Sequence, residues 1–244
     1  MNILPLLFAV IATSSARDCG HTTEIPSEAP TTQTSTTVQT PTTWPEGSFA
    51  LPKPIAGCPG TEWKEGSFYQ DTEDYYNGNT WNTTNMSGMK KKDGYLNTYC
   101  VIDDATTGSG VWPAGAYCIL RKNGVCPGGF QEGSILWDDE NNYNMNHVTE
   151  QSTLPDGDFN KDTKLFYCCR EDAVPSQEIA LPTSTPFYLL MKKDVCQKVA
   201  GMSVTKETQL WDDEDTNNQN AREGSTPFQI GDRTNIAINY CYYS

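Results

Sequence analysis

Three stretches of the chain concentrate the residue types that bind sugars or hard cations. They are Asp71-Thr-Glu-Asp-Tyr-Tyr-Asn-Gly-Asn79, Trp137-Asp-Asp-Glu-Asn-Asn-Tyr-Asn-Met-Asn146 and Trp211-Asp-Asp-Glu-Asp-Thr-Asn-Asn-Gln-Asn220. Carboxylate and amide oxygens are hard ligands suited to Ca2+, and the same groups make paired hydrogen bonds with sugar hydroxyls. A neighbouring tryptophan offers a flat apolar face for a pyranose ring. On this chemistry the candidate ligand-binding residues are Trp137, Asp138, Asp139, Asn141, Asn144, Trp211, Asp212, Asp213 and Asn217. The candidate calcium ligands are Asp138, Asp139, Asp212, Asp213 and Asp215. No stretch has the D-x-[DN]-x-[DN]-G spacing of a calcium loop, so the metal signal is the weaker one. The competing reading is a set of Asx-capped turns in which each tryptophan is a core anchor.

Catalytic patterns are poorly represented. The chain has two histidines, and His147 stands without G-x-S-x-G or H-E-x-x-H, while His21 lies beside a Thr-rich segment. A glycosidase needs two carboxylates set across a cleft, and nothing selects Glu140 or Glu214 for that role. Zinc is disfavoured because no C-x2-C pair is present. No enzymatic activity and no obligatory cofactor are expected.

The elements that must position these loops repeat along the chain. Trp44-Pro-Glu-Gly-Ser-Phe49, Gly57-Cys58-Pro59-Gly60 and Glu65-Gly66-Ser67-Phe68 precede the first acidic stretch. Trp112-Pro-Ala-Gly-Ala-Tyr117, Val125-Cys126-Pro127-Gly128 and Glu132-Gly133-Ser134-Ile135 precede the second, with 14 residues from tryptophan to cysteine in both copies. A weaker third copy runs from Leu181 through Phe187-Tyr-Leu189 and Cys196 to Trp211. Each copy closes on a strand-like run ending in Tyr-Cys, at Cys100, Cys168 and Cys241. The copies span about 44–103, 112–172 and 181–243.

If each copy staples itself, the 105 pairings open to eight cysteines reduce to Cys58–Cys100, Cys126–Cys168 and Cys196–Cys241. Cys118 and Cys169 occur only in the central copy and then pair with each other. Bridges closing loops of roughly 40 residues stabilise by on the order of 3–4 kcal/mol each through the unfolded state. Short aromatic and β-branched runs separated by Pro-Gly turns predict a mainly β domain of three similar modules, with at most one short helix at Leu190–Met202.

The remaining segments set the compartment. Ile3–Ala12 is apolar and is followed by small residues, which predicts a secretory signal peptide over 1–16. Residues 17–43 form a Thr/Ser/Pro-rich stalk, and 15 of the 22 residues from Thr22 to Thr43 are Thr, Ser or Pro. Such a segment has little apolar area to offset its ordering entropy, so an extended, O-glycosylated spacer is expected. Cys19 is the odd ninth cysteine and a candidate for linking two chains. Asn82-Thr-Thr84 and Asn85-Met-Ser87 are N-glycosylation sequons. The formal net charge of −14 disfavours nucleic acid and anionic membrane surfaces. Lys90-Lys-Lys92 is too short a run to reverse that and reads as a solvated loop. Direct membrane insertion is not expected, because no apolar run reaches the ~20 residues a spanning helix needs.

The ordered motifs together resemble a known family. Trp44-Pro-x-Gly-x-Phe49 with Gly57-Cys-Pro59, Gln70-Asp-Thr-Glu-Asp74, Trp112–Ile119 (WPAGAYCI), Cys126–Phe130 (CPGGF), Gly133–Asn141 (GSILWDDEN), Leu154–Gly157 (LPDG), Phe166–Cys169 (FYCC), Leu181–Leu190 (LPTSTPFYLL) and Cys196–Met202 (CQKVAGM) resemble the apextrin C-terminal domain, ApeC, over about Trp44 to Cys241. The resemblance implies an extracellular protein of invertebrate innate immunity that recognises bacterial peptidoglycan or its muramyl-peptide fragment. Apextrins proper carry an N-terminal perforin-like domain, and this sequence has a Thr-rich stalk there, so pore formation is not implied. An acidic, calcium-binding matrix, mucus or egg-coat protein is the alternative, and a wall hydrolase the weaker third.

Overall fold

A computed structural model of the protein describes residues 39–73, 78–213, 215–231 and 234–244. The predicted signal peptide, the stalk up to residue 38 with Cys19 and His21, and Glu214 lie outside the described residues. Fifteen strands form one sheet, and no helix occurs among the described residues. The first module contributes β1 (Phe49–Pro52), β2 (Lys64–Asp71), β3 (Thr80–Asn82), β4 (Met89–Lys90) and β5 (Gly94–Ile102). The second contributes β6 (Ala116–Arg121), β7 (Gln131–Trp137), β8 (His147–Val148), β9 (Gly157–Phe159) and β10 (Thr163–Glu171). The third contributes β11 (Phe187–Met191), β12 (Val204–Asp212), β13 (Ala221–Gly224), β14 (Gln229–Ile230) and β15 (Asn235–Tyr243).

One pairing pattern recurs in each module: the long last strand lies antiparallel between the first and the second. Thus β5 pairs β1 and β2, β10 pairs β6 and β7, and β15 pairs β11 and β12. The short first strands join the modules at the centre, with Ala50 opposite Leu120 and Leu190 opposite Cys118. At the periphery each module lends a short strand to another. β8 pairs β2, β13 pairs β7 and β3 pairs β12, so every second strand is completed from a different module.

Period-2 side-chain alternation explains why the first strands read as unbroken apolar runs. Along Phe187–Met191 the side chains of Phe187, Leu189 and Met191 enter one core, and those of Tyr188 and Leu190 enter the other. The first core gathers Trp44, Trp63, Trp112, Phe49 and Phe187, with edge-to-face contacts such as Phe49–Trp112 at 4.8 Å. The second holds Trp137, Trp211, Tyr95, Tyr99, Tyr167 and Tyr240. Alternation also separates adjacent Cys168 and Cys169, which face opposite cores. The cystines are Cys58–Cys100, Cys126–Cys168, Cys196–Cys241 and Cys118–Cys169.

The helix expected over Leu190–Met202 is absent. Leu190 and Met191 instead complete β11, Val195 is exposed, and Cys196 is tied to Cys241. Val199 and Ala200 are buried, but Val199 is held by a β-bridge to Ile179 and Cys196 by its cystine, so tertiary contacts outside any helical face fix this segment.

The repeated Glu-Gly-Ser motif has a steric cause. A Cβ on Gly66 would collide with the backbone of Thr153, and one on Gly133 with the backbone of Ser225, because another module's chain crosses over both strands. Overpacking of this kind costs typically 1–3 kcal/mol. Gly133→Ala is therefore expected to lower unfolding stability by about 2 kcal/mol in urea denaturation.

Candidate functional site

The acidic stretches lie at the ends of β2, β7 and β12, and the structure turns most of their polar atoms inward. Each closing aspartate is held by a loop from a different module. The Asp71 N–H donates to Asn146 Oδ1 (2.6 Å), and Asp71 Oδ2 accepts the Met145 N–H (2.8 Å). The Asp138 N–H donates to Asn220 Oδ1 (2.7 Å), and Asp138 Oδ2 accepts the Gln219 N–H (2.7 Å). The Asp212 N–H donates to Asn79 Oδ1 (2.8 Å), and Asp212 Oδ2 accepts the Gly78 N–H. First binds second, second binds third, and third binds first. The asparagine amides then reach the next acidic position: Asn146 Nδ2 donates to Asp139 Oδ2 (2.7 Å) and Asn220 Nδ2 to Asp213 Oδ2 (2.9 Å).

Behind these ties runs a buried polar chain through all three modules. Tyr240 donates to Gln209 Oε1 (3.4 Å), Gln209 Nε2 to Asn97 Oδ1 (3.1 Å), Asn97 Nδ2 to Gln70 Oε1 (3.3 Å) and Gln70 Nε2 to Asp139 Oδ1 (3.0 Å). Thr163 adds a bond to Asp139 Oδ2 at 2.5 Å. Burial pushes the Asp139 carboxyl up to about 7, against the pull of the hydrogen bonds it accepts. Burial, and then the charge of Asp139, also raise Asp213 well above the ordinary carboxylate range.

For the tryptophans these positions agree with the competing reading of turns built on core anchors, and they turn most of the candidate ligand residues away from solvent. Trp137 and Trp211 are buried and touch each other at 5.4 Å, so neither offers a ring face to a sugar. Asp138, Asp139 and Asp213 are buried as well, which removes them from any open calcium shell. Glu140 is buried, with Oε1 accepting the Asn142 N–H (2.7 Å), and does not stand across a cleft as a hydrolase carboxylate. His147 is exposed, stacks on Tyr69 and donates from Nδ1 to Met145 O.

Asn141 and Asn217 remain exposed, and Asn144 is half-buried, donating to Glu140 O and Lys161 O. Of the five candidate calcium ligands, half-buried Asp212 and exposed Asp215 come within 4.8 Å of each other and of Glu73. The exposed aromatic of the second loop is Tyr143, 91 % exposed, a residue the sequence reading did not single out. It shares a left-handed backbone (φ 59°) with Asn217 of the third loop.

A concavity lies elsewhere, between the second and third modules. A cleft of about 550 Å3 is lined by Gln131 and Glu132 of β7, Arg170 and Glu171 of β10, Lys192 beyond β11, and Ser225 beyond β13. Arg170 is anchored: Nε and Nη2 bond Asp172, and Nη1 donates to Trp112 O (2.7 Å). That contact holds Asp172 well below the usual carboxylate range. Lys192 Nζ donates to Thr226 O (3.0 Å) and stands 3.7 Å from Glu171. Fixed cations beside carboxylates suit a ligand carrying both carboxylate and amine or amide groups. These residues are scattered across some 95 positions of sequence, from Gln131 to Ser225, and carry no shared motif.

The family model described as ApeC, the C-terminal domain of apextrin, covers residues 44–243. No curated protein and no solved structure matches the chain.

Proposed function

Because the chain belongs to the ApeC family, we propose that it is a secreted recognition protein that binds bacterial cell-wall glycopeptide without covalent chemistry. Family membership and four cystines are consistent with an extracellular protein. The observation that carries the ligand assignment is the mixed-charge cleft between the second and third modules. A muramyl peptide has acetamido groups, hydroxyls and free carboxylates, and its stem can carry an amine. Lys192 and the anchored Arg170 suit the carboxylates, Glu171 and Glu132 the amine, and Gln131 and Ser225 the hydroxyls. The volume falls within the 300–1,000 Å3 typical of small-ligand sites. A protein of net charge −14 gains nothing from long-range attraction to an anionic wall, so its binding rests on short-range contacts of this kind. Cys19, if it joins two chains, adds avidity on a repetitive surface.

Insoluble peptidoglycan is expected to retain the full-length protein, and chelation of divalent cations is expected to leave retention unchanged. Protein recovered wholly in the unbound fraction, with and without Ca2+, would count against the proposal.

A second reading, an acidic calcium-binding matrix protein, is favoured by the Glu73, Asp212 and Asp215 carboxylates. Calorimetric titration with Ca2+ separates the two: metal binding without peptidoglycan retention supports the matrix reading.

A further inference from the structure

The chain's two sequons, three residues apart, sit in opposite environments. Glu207 of β12 is buried, and its Oε1 accepts from the Thr84 N–H (3.0 Å), Thr84 Oγ1 (3.1 Å), the Asn85 N–H (3.1 Å) and Asn85 Nδ2 (2.9 Å). Tyr188 donates to its other oxygen at 2.6 Å. This carboxylate, brought from the third module, organises the loop that holds the second sequon. The Asn85 amide has two N–H donors, and both are engaged: one with Glu207 and one with Thr84 Oγ1 (3.0 Å). Asn82, by contrast, is exposed at the end of β3, with no side-chain hydrogen bond among the described residues. β3 has β12 as its only strand partner among the described residues.

We propose that Asn82 carries an N-linked glycan and that Asn85 stays unmodified as the cap of Glu207. The inference rests on the reading of the chain as secreted, since the transfer takes place in the secretory pathway. In that step the Asn82 amide nitrogen forms a bond to C1 of a polyprenyl-diphosphate-linked oligosaccharide. The C1–O bond to the diphosphate breaks, the lipid diphosphate leaves with its electron pair, and the amide gives up one proton. Carried out at Asn85, the same step would replace one of two engaged N–H groups and press a pyranose against a buried carboxylate. A glycan on Asn82 costs no such contact.

The test is site mapping on the full chain made in a glycosylating eukaryotic cell. Enzymatic deglycosylation in 18O water marks each formerly glycosylated asparagine as labelled aspartate, which peptide mass spectrometry reads. The expected result is label at residue 82 and none at residue 85 in the soluble protein. Label at residue 85, or none at residue 82 in a chain that has entered the pathway, overturns the proposal. A variant carrying a foreign signal sequence in place of residues 1–16 forces entry to the pathway. Label at residue 82 in that variant alone counts against the secreted reading and leaves the site assignment standing. On protein made without glycosylation, Asn85→Ala is expected to lower the thermal midpoint and Asn82→Ala to leave it unchanged. Equal effects of the two would contradict the assigned roles.

Discussion

Replacing Asn220 by alanine is expected to lower unfolding stability by about 3 kcal/mol, a large fraction of what a domain of this size possesses. The side chain accepts the Asp138 N–H at 2.7 Å and donates to Asp213 Oδ2 at 2.9 Å. Truncation removes both bonds and leaves a fully buried Asp213 carboxyl without that donor; its other oxygen has no partner among the described residues. Losing one partner of a buried polar group costs the desolvation of the group left behind, about 1–3 kcal/mol, more where it is charged. The urea midpoint is expected to fall with little change in slope. Asn146→Ala, which breaks the matching tie to Asp71 and Asp139, is expected to behave the same way. A loss below about 0.5 kcal/mol in both would return the acidic stretches to the status of ordinary surface turns.

The second large effect is on pH dependence. Asp139 is raised by burial from the unfolded value of 3.8 to about 7. A carboxyl whose folded value lies above its unfolded value contributes stability that is fully present below about pH 4 and is lost as pH rises through about 7. Three units correspond to on the order of 4 kcal/mol across that window. Asp213 shifts in the same direction and adds to the slope. Asp172 is lowered, so its contribution is lost only on acidification below about pH 4, outside the window. Denaturation at pH 5 and pH 8 is therefore expected to find the more stable protein at pH 5. In Asp139→Asn, which cannot ionise, most of that difference is expected to disappear. A wild-type protein equally stable at both values would show that Asp139 stays ionised on its hydrogen bonds.

Much of the fold is legible in the sequence because the relevant signals are local. Alternating apolar residues ahead of a Tyr-Cys ending mark the last strands, and equal tryptophan–cysteine spacings mark the modules that close on themselves. Strand alternation sends adjacent Cys168 and Cys169 to opposite faces, where each meets a different partner. The role of the acidic loops was not legible, for a physical reason. Asp71 meets Asn146 and Asp138 meets Asn220, across 75 and 82 residues, and no spacing within one loop reports on a partner in another module. Composition suggested solvation, whereas satisfied hydrogen bonding is what allows such residues to be buried. One overlooked signal was available: glycine within the strand-like Glu-Gly-Ser runs marks the close approach of another backbone. The segment after β11 misled through loosely spaced apolar residues that the Cys196 bridge commits to a different path. The cleft draws on four separate strands and their flanks, and only the folded chain assembles it.

The acidic loops join the modules, and the proposed function places the ligand in the cleft between the second and third of them. Retention on insoluble peptidoglycan by Lys192→Ala and Tyr143→Ala, compared with wild type at equal folded concentration, tests it most directly. About tenfold weaker retention is expected for Lys192→Ala, the loss of one charge-assisted hydrogen bond. Tyr143→Ala is expected to be retained like the wild type. The reverse pattern, with Tyr143→Ala released and Lys192→Ala retained, would exclude the cleft as the binding surface and move it to the tip of the second loop.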